Sequence, residues 1–163
     1  MFFDNAESLR KYAAGFAEKL RTPASVALHG DLGAGKTEFA RAAIRALCGE
    51  NTIVPSPTFT LVQEYTRDSG FAIRDSRFVG VDSLDRIFHF DLYRIKNAGE
   101  LEEIGFFDAL ADGIVFVEWP EIAADFLPKN TVHVYLSVSG AGREVSVSGR
   151  DSQFGIRDSW GRR

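Results

Sequence analysis

Residues 30–37 read Gly-Asp-Leu-Gly-Ala-Gly-Lys-Thr, a match to the pattern G-x-x-x-x-G-K-[ST], and they leave few folds open. A short strand pattern, Ser25-Val26-Ala27-Leu28-His29, runs straight into the first glycine. Strong helix formers follow from Lys36 to Leu47, with Gly49 at the stop position. Strand, glycine loop and helix in that order build a phosphate cradle. Glycines let successive backbone N–H groups turn inward without a Cβ in the way. The helix that follows aims its N-terminal amides and its dipole at the same anion. Lys36 would reach the β and γ oxygens of a nucleotide, and the Thr37 hydroxyl would coordinate Mg²⁺. Asp31, Leu32, Gly33, Ala34, Gly35, Lys36, Thr37 and Glu38 are therefore the expected nucleotide-binding set.

The remaining patterns place this unit in an α/β chain. Leu9, Tyr12, Ala13, Phe16 and Leu20 follow helical spacing, with Asp4 and Glu7 as a start signal and Pro23 as the close. Strands are predicted over Thr58–Tyr65, Ile87–Asp91 and Ile114–Val117, and helices over Glu100–Leu110, with Gly105 weakening its end, and over Glu121–Phe126. Two last strand patterns, Thr131–Ser137 and Glu144–Ser148, read as a hairpin. Alternating strands and helices predict a three-layer sandwich like that of the P-loop NTPases, with a largely parallel central sheet and a C-terminal β-hairpin. Residues 1–150 would form one domain, with 66–86 as an inserted loop or hairpin and 151–163 as a mobile tail. Arg-Asp-Ser recurs at 67–69, 74–76, 150–152 and 157–159, an echo without a physical account.

Composition narrows the partners. In 163 residues, 45% are hydrophobic and 12% aromatic, enough for a core and too much for a disordered chain. A net charge of -4 argues against unaided binding to DNA or RNA, which rewards a basic excess. The lone Cys48 closes no internal disulfide, and no Cys/His spacing fits zinc. No signal peptide is read at the start, and no run approaches the ~20 apolar residues of a membrane span. A soluble cytoplasmic domain is the expectation.

A Mg-nucleotide site also needs carboxylates beyond the carboxyl ends of neighbouring strands. Asp91 and Glu118 each end a strand pattern. One would hold Mg²⁺ through water while the other orients or deprotonates the attacking water, and the sequence leaves open which does which. Thr58, in Pro55-Ser56-Pro57-Thr58-Phe59, offers a hydroxyl where GTPases place a γ-phosphate sensor, although an ordinary turn accounts for it too. No Asn/Thr-Lys-x-Asp segment reads guanine, so adenine is favoured. Trp119 could stack on the base or simply pack. His29, His89 and His133 read as core or strand-end residues rather than metal ligands, and Cys48 as a packing residue.

Five segments in order resemble one family: GDLGAGKT at 30–37, Ser56-Pro57-Thr58-Phe59, His89-Phe90-Asp91-Leu92-Tyr93-Arg94, Glu102-Glu103-Ile104-Gly105 and Val117-Glu118-Trp119-Pro120-Glu121. The chain is similar, from about residue 8 to 148, to the TsaE (YjeE) ATPases of bacterial tRNA threonylcarbamoyladenosine biosynthesis. The resemblance implies a small P-loop ATPase that binds ATP and Mg²⁺ and acts on a TsaB–TsaD complex. That complex modifies the adenosine beside the anticodon in tRNAs reading ANN codons, so tRNA is met indirectly, and no membrane and no DNA is involved. It further implies phosphate binding by Lys36, Mg²⁺ binding by Thr37 and Asp91, a switch role for Thr58, and water activation or positioning by Glu118. Trp119 would lie close to the nucleotide. The long link from Tyr65 to His89 and the tail after Gly149 depart from the family pattern, so interface residues do not carry over.

Two other readings share the phosphate loop. A small-molecule or nucleoside kinase would need an arginine-rich lid, for which 66–86 supplies Arg67, Arg74, Arg77 and Arg86. A binding module would hold nucleotide without hydrolysing it.

Overall fold

A computed structural model describes residues 1–67 and 86–149 of the chain. Numbered in chain order, the elements are β1 (Phe2–Phe3), α1 (Ala6–Ala17), β2 (Ala24–His29), α2 (Lys36–Cys48), β3 (Val62–Thr66), β4 (Arg86–Asp91), α3 (Glu100–Glu103), α4 (Phe106–Asp112), β5 (Gly113–Glu118), β6 (Val132–Ser139) and β7 (Gly142–Ser148). A 3-10 helix, Pro120–Phe126, follows β5. The strands form one sheet in the order β1-β7-β6-β2-β5-β4-β3. Its centre is parallel: β2 lies between β5 and β6, and β4 runs beside β5. The outer pairs β3–β4, β6–β7 and β1–β7 are antiparallel. The expected α/β sandwich with a C-terminal hairpin is what the chain folds into.

Each strand buries alternate residues on opposite faces, which explains the three layers. Ile114, Phe116, Val26, Leu28 and Ile87 pack under α1 and α2. Val115, Val117, Phe88 and Phe90 pack against Leu101 of α3 and Phe106 and Ala109 of α4. All six residues of β5 are buried, as its unbroken apolar run requires of a strand covered on both faces.

Four details differ from the sequence reading. The cap of α1 is Asn5 rather than Asp4: its side chain accepts the Ser8 N–H at 2.9 Å. The strand expected from Thr58 starts at Val62, because Leu61 takes a left-handed φ of 66° and its N–H closes a turn onto Pro57 O. The helix expected over Glu100–Leu110 is split into α3 and α4 at Gly105, whose φ of 70° an uninterrupted helix does not accommodate. Phe2 and Phe3 add a two-residue edge strand, too short for a periodic pattern to announce. Most of the 66–86 segment, with Arg74 and Arg77, and the 151–163 tail lie outside the described residues.

Parallel register brings the chemistry to one edge. Leu28 and Asp91 are both level with Glu118, so the strand entering the glycine loop and the two carboxylate strands end together.

Candidate active site

The loop between β2 and α2 is shaped by its glycines. Gly30 has a φ of 139°, and a Cβ there would fall 2.2 Å from the Leu136 carbonyl oxygen of β6, so only hydrogen fits. Gly35, with a φ of 109°, caps α2 without a side-chain hydrogen bond. The first amides of α2 are thus left for an anion. The Arg143 guanidinium of β7 braces the loop from outside, donating to Gly33 O at 3.2 Å.

Behind the loop lies a cavity of about 340 Å³ lined by Leu32, Gly33, Gly35, Lys36, Thr37, Glu38, Arg41, Thr58, Asp91, Tyr93, Glu118 and Trp119. Ten of the residues expected at a nucleotide site are therefore together. Asp31 and Ala34 are not among them. Ala34 is buried under α1 and α2 and donates its N–H to Asp31 O, so these two hold the loop's shape from outside the cavity.

Lys36 is 5% exposed, and its ammonium donates to Gly30 O and to Asp31 O. The same nitrogen lies 3.7 Å from the centre of the Trp119 ring, a cation–π contact. Trp119 therefore faces Lys36; its own left-handed backbone, with a φ of 56°, turns the chain sharply after β5. Burial lowers the Lys36 pKa, and the nearby Glu118 and Asp91 carboxylates pull it back up.

The two carboxylates are almost fully buried, 3% exposed for Asp91 and 2% for Glu118. Their surroundings differ. Asp91 Oδ2 accepts the Thr58 hydroxyl at 2.7 Å, and Oδ1 accepts the Tyr93 N–H at 3.0 Å. Thr58 in turn shares a hydrogen bond of 2.9 Å with Ser56, so the Pro55–Phe59 loop is tied to Asp91 through one hydroxyl. Glu118 Oε2 accepts the Thr37 hydroxyl at 2.9 Å, and Oε1 meets His89 Nε2 at 2.8 Å.

Three residues at the site carried no functional reading in the sequence. Arg41 stands one helical turn beyond Thr37, a spacing that puts both on one face of α2. It pairs with Glu38 at 2.7 Å and donates to Val54 O, which holds the approach to the Thr58 loop. Tyr93 packs its ring 5.0 Å from that of Trp119. His89 is two residues before Asp91 on β4 and so shares its face, a period-two signal that could have singled it out.

The donors fit Mg²⁺ with a nucleotide. Mg²⁺ takes hard oxygen ligands and is commonly held by one or two carboxylates together with substrate phosphates. A hydroxyl and two buried carboxylates meet beside the glycine loop, and no histidine or sulfur lines the cavity with them. Among the described residues no group of three His, Cys, Asp or Glu side chains could hold a metal by itself, which leaves room for phosphate oxygens. Among the described residues no helix is long and apolar enough to cross a membrane.

Comparison with known proteins places the chain in a family. The family model for the threonylcarbamoyl adenosine biosynthesis protein TsaE matches residues 3–145. The tRNA threonylcarbamoyladenosine biosynthesis protein TsaE of Rickettsia felis is 39% identical over 138 residues, covering 85% of this chain and 72% of that protein. The Bacillus subtilis protein of the same name is 30% identical over 154 residues, covering 93% and 84%. The crystal structure of Bacillus subtilis YdiB has a similar fold, with a TM-score of 0.65 at 23% identity over 96% of this chain and 88% of that one.

Proposed function

The chain belongs to the TsaE family of tRNA threonylcarbamoyladenosine biosynthesis, and on that premise we propose that it is the pathway's ATP-hydrolysing subunit, acting on a TsaB–TsaD complex. The observation that carries this reading is the convergence of Lys36, Thr37, Thr58, Asp91 and Glu118 on one cavity beside the glycine loop. Lys36 and the α2 amides would neutralise the phosphates of ATP, and Thr37 and Asp91 would hold Mg²⁺, which supplies further positive charge to the leaving phosphates. Thr58, on a loop tied to Asp91, would report the γ-phosphate to the surface of the protein. Glu118 would accept a proton from the attacking water as its oxygen bonds to the γ-phosphorus and ADP departs. Trp119, stacked on Lys36, would close the site over the nucleotide. With a net charge of -4, the chain would leave tRNA contact to its partners, and we expect it in the cytoplasm.

Among the described residues, no arginine of the 66–86 segment is placed in the cavity lining. Arg86, the one described arginine of β4, begins that strand at the end opposite Asp91 and pairs there with Glu64 at 2.7 Å.

The test is phosphate release from ATP by the purified chain, with and without the TsaB–TsaD pair. Stimulation by the pair is expected, and Glu118→Gln should bind ATP normally while hydrolysis falls about a hundredfold or more. Normal turnover by Glu118→Gln would make Asp91 the better base. A pair that neither binds nor stimulates would overturn the partnership.

A further inference from the structure

We propose that His89 is a positioning residue for Glu118, holding one carboxylate oxygen so that the other is presented to water. The proposal rests on the reading of Glu118 as the proton acceptor.

His89 is 0% exposed and lies behind the cavity lining, against Glu118. A carboxylate has only lone pairs to offer, so the hydrogen of the 2.8 Å contact resides on Nε2 and is donated to Glu118 Oε1. The other ring nitrogen, Nδ1, has no partner among the described residues. Burying an unpaired polar atom is unfavourable, and an apolar side chain would fill the same space without that penalty. The imidazole thus makes a single side-chain hydrogen bond, and it goes to the residue that the chemistry needs.

The two holds on Glu118 are not equivalent. Oε2 accepts the Thr37 hydroxyl at 2.9 Å, yet Thr37 is also the residue that the bound nucleotide and its metal would claim. Once that hydroxyl turns away, Oε2 is free to accept a proton from water. Oε1 keeps its bond to His89, which is anchored on β4 with a strand paired on each side, β3 and β5. A glutamate with one oxygen pinned has a defined direction for the other, where an unpinned one would sample several rotamers.

The experiment measures ATP affinity and single-turnover hydrolysis separately, in the full-length chain. His89→Leu should bind ATP within about threefold of wild type while the hydrolysis step slows about tenfold to a hundredfold. His89→Gln, whose amide nitrogen reaches the Nε2 position, should recover most of that rate. His89→Asn, whose amide stops near the Nδ1 position, should not, and it takes over the test if the leucine variant does not fold. Because His89 acts through Glu118, adding His89→Leu to Glu118→Gln should slow the chain little further.

A leucine variant as fast as wild type overturns the proposal, as does a glutamine variant no faster than the asparagine one. Equal slowing by His89→Leu in the wild-type and Glu118→Gln backgrounds also overturns it, since the histidine would then act elsewhere. If Glu118→Gln itself hydrolyses normally, the underlying reading of Glu118 fails and this proposal fails with it. Loss at Glu118 without loss at His89 removes the positioning role alone.

Discussion

The carboxyl ends of β4 and β5 and the neighbouring ends of β2 and β6 belong to one sheet, yet they treat their polar residues in opposite ways. At the first edge Asp91, Glu118 and His89 are at most 3% exposed and hydrogen-bonded to hydroxyls, an amide or each other. At the second, His29 stacks 4.5 Å from Tyr135 and shares a 3.0 Å hydrogen bond with His133, but Tyr135 is 45% exposed and the nearest acid, Glu121, is 3.6 Å from His29 and open to solvent. The physical difference is cost. The second edge is partly open, with the His29 side chain 21% exposed and that of Glu121 64% exposed, so its polar atoms depend less on protein partners. At the first edge each oxygen needs a protein partner, because an unpaired buried polar atom is costly. Buried, closely partnered polar groups at a strand end therefore point to chemistry, whereas solvated ones point to surface.

The largest effect on ATP affinity should come from Lys36→Ala, which removes the ammonium beside the glycine loop. ATP affinity is expected to fall about tenfold to a hundredfold, the value of a charge-assisted contact to phosphate. Titration of the variant with a fluorescent ATP analogue checks this, and unchanged binding would mean that the cavity is not the phosphate site. Thr58→Ala should cost less. It deletes the hydroxyl on Asp91 Oδ2 while leaving the Tyr93 N–H on Oδ1. Turnover should drop about three- to tenfold, with Thr58→Ser restoring it. If alanine is as active as threonine, the loop is tied to Asp91 for structure alone and the first edge is less tightly built than its geometry says.

The first edge was legible where its signals are local. The glycine loop, the lysine and the threonine fall within eight consecutive residues, and their spacing is itself the chemistry. Asp91 and Glu118 were legible because each ends an apolar run. The His89–Glu118 contact spans 29 residues and depends on parallel register, which no single strand pattern carries. Arg41 was hidden for another reason: α2 reads as an ordinary amphipathic helix, and only the fold shows which of its faces meets the cavity. The fold itself failed to show through where one backbone angle decided the outcome. Leu61 delays β3, and periodicity is blind to a single left-handed residue; Gly105, which divides α3 from α4, showed in the sequence only as a weak point of one helix. Residue type alone could not separate His29, the last residue of β2, from His89, two residues before the end of β4.

That separation has a pH signature, the smallest of these effects. Burial lowers the His29 pKa, the adjacent His133 lowers it further, and Glu121 only partly offsets them. The folded chain thus binds fewer protons at His29 than the unfolded chain does, in the window between the folded value and the ordinary 6.5. Stability from this group is fully present above 6.5 and is lost as pH falls through that window. His29→Gln should flatten the decline of Tm between about pH 7.5 and 5.5, followed by circular dichroism at fixed ionic strength. The slope is the quantity to compare, because losing the stack on Tyr135 lowers Tm at every pH. ATP turnover at pH 7.5 should be unchanged, since His29 lies outside the cavity. An unaltered slope would mean that water screens His29 completely. A loss of turnover would erase the distinction between the two edges and extend the working site across β2 to β6.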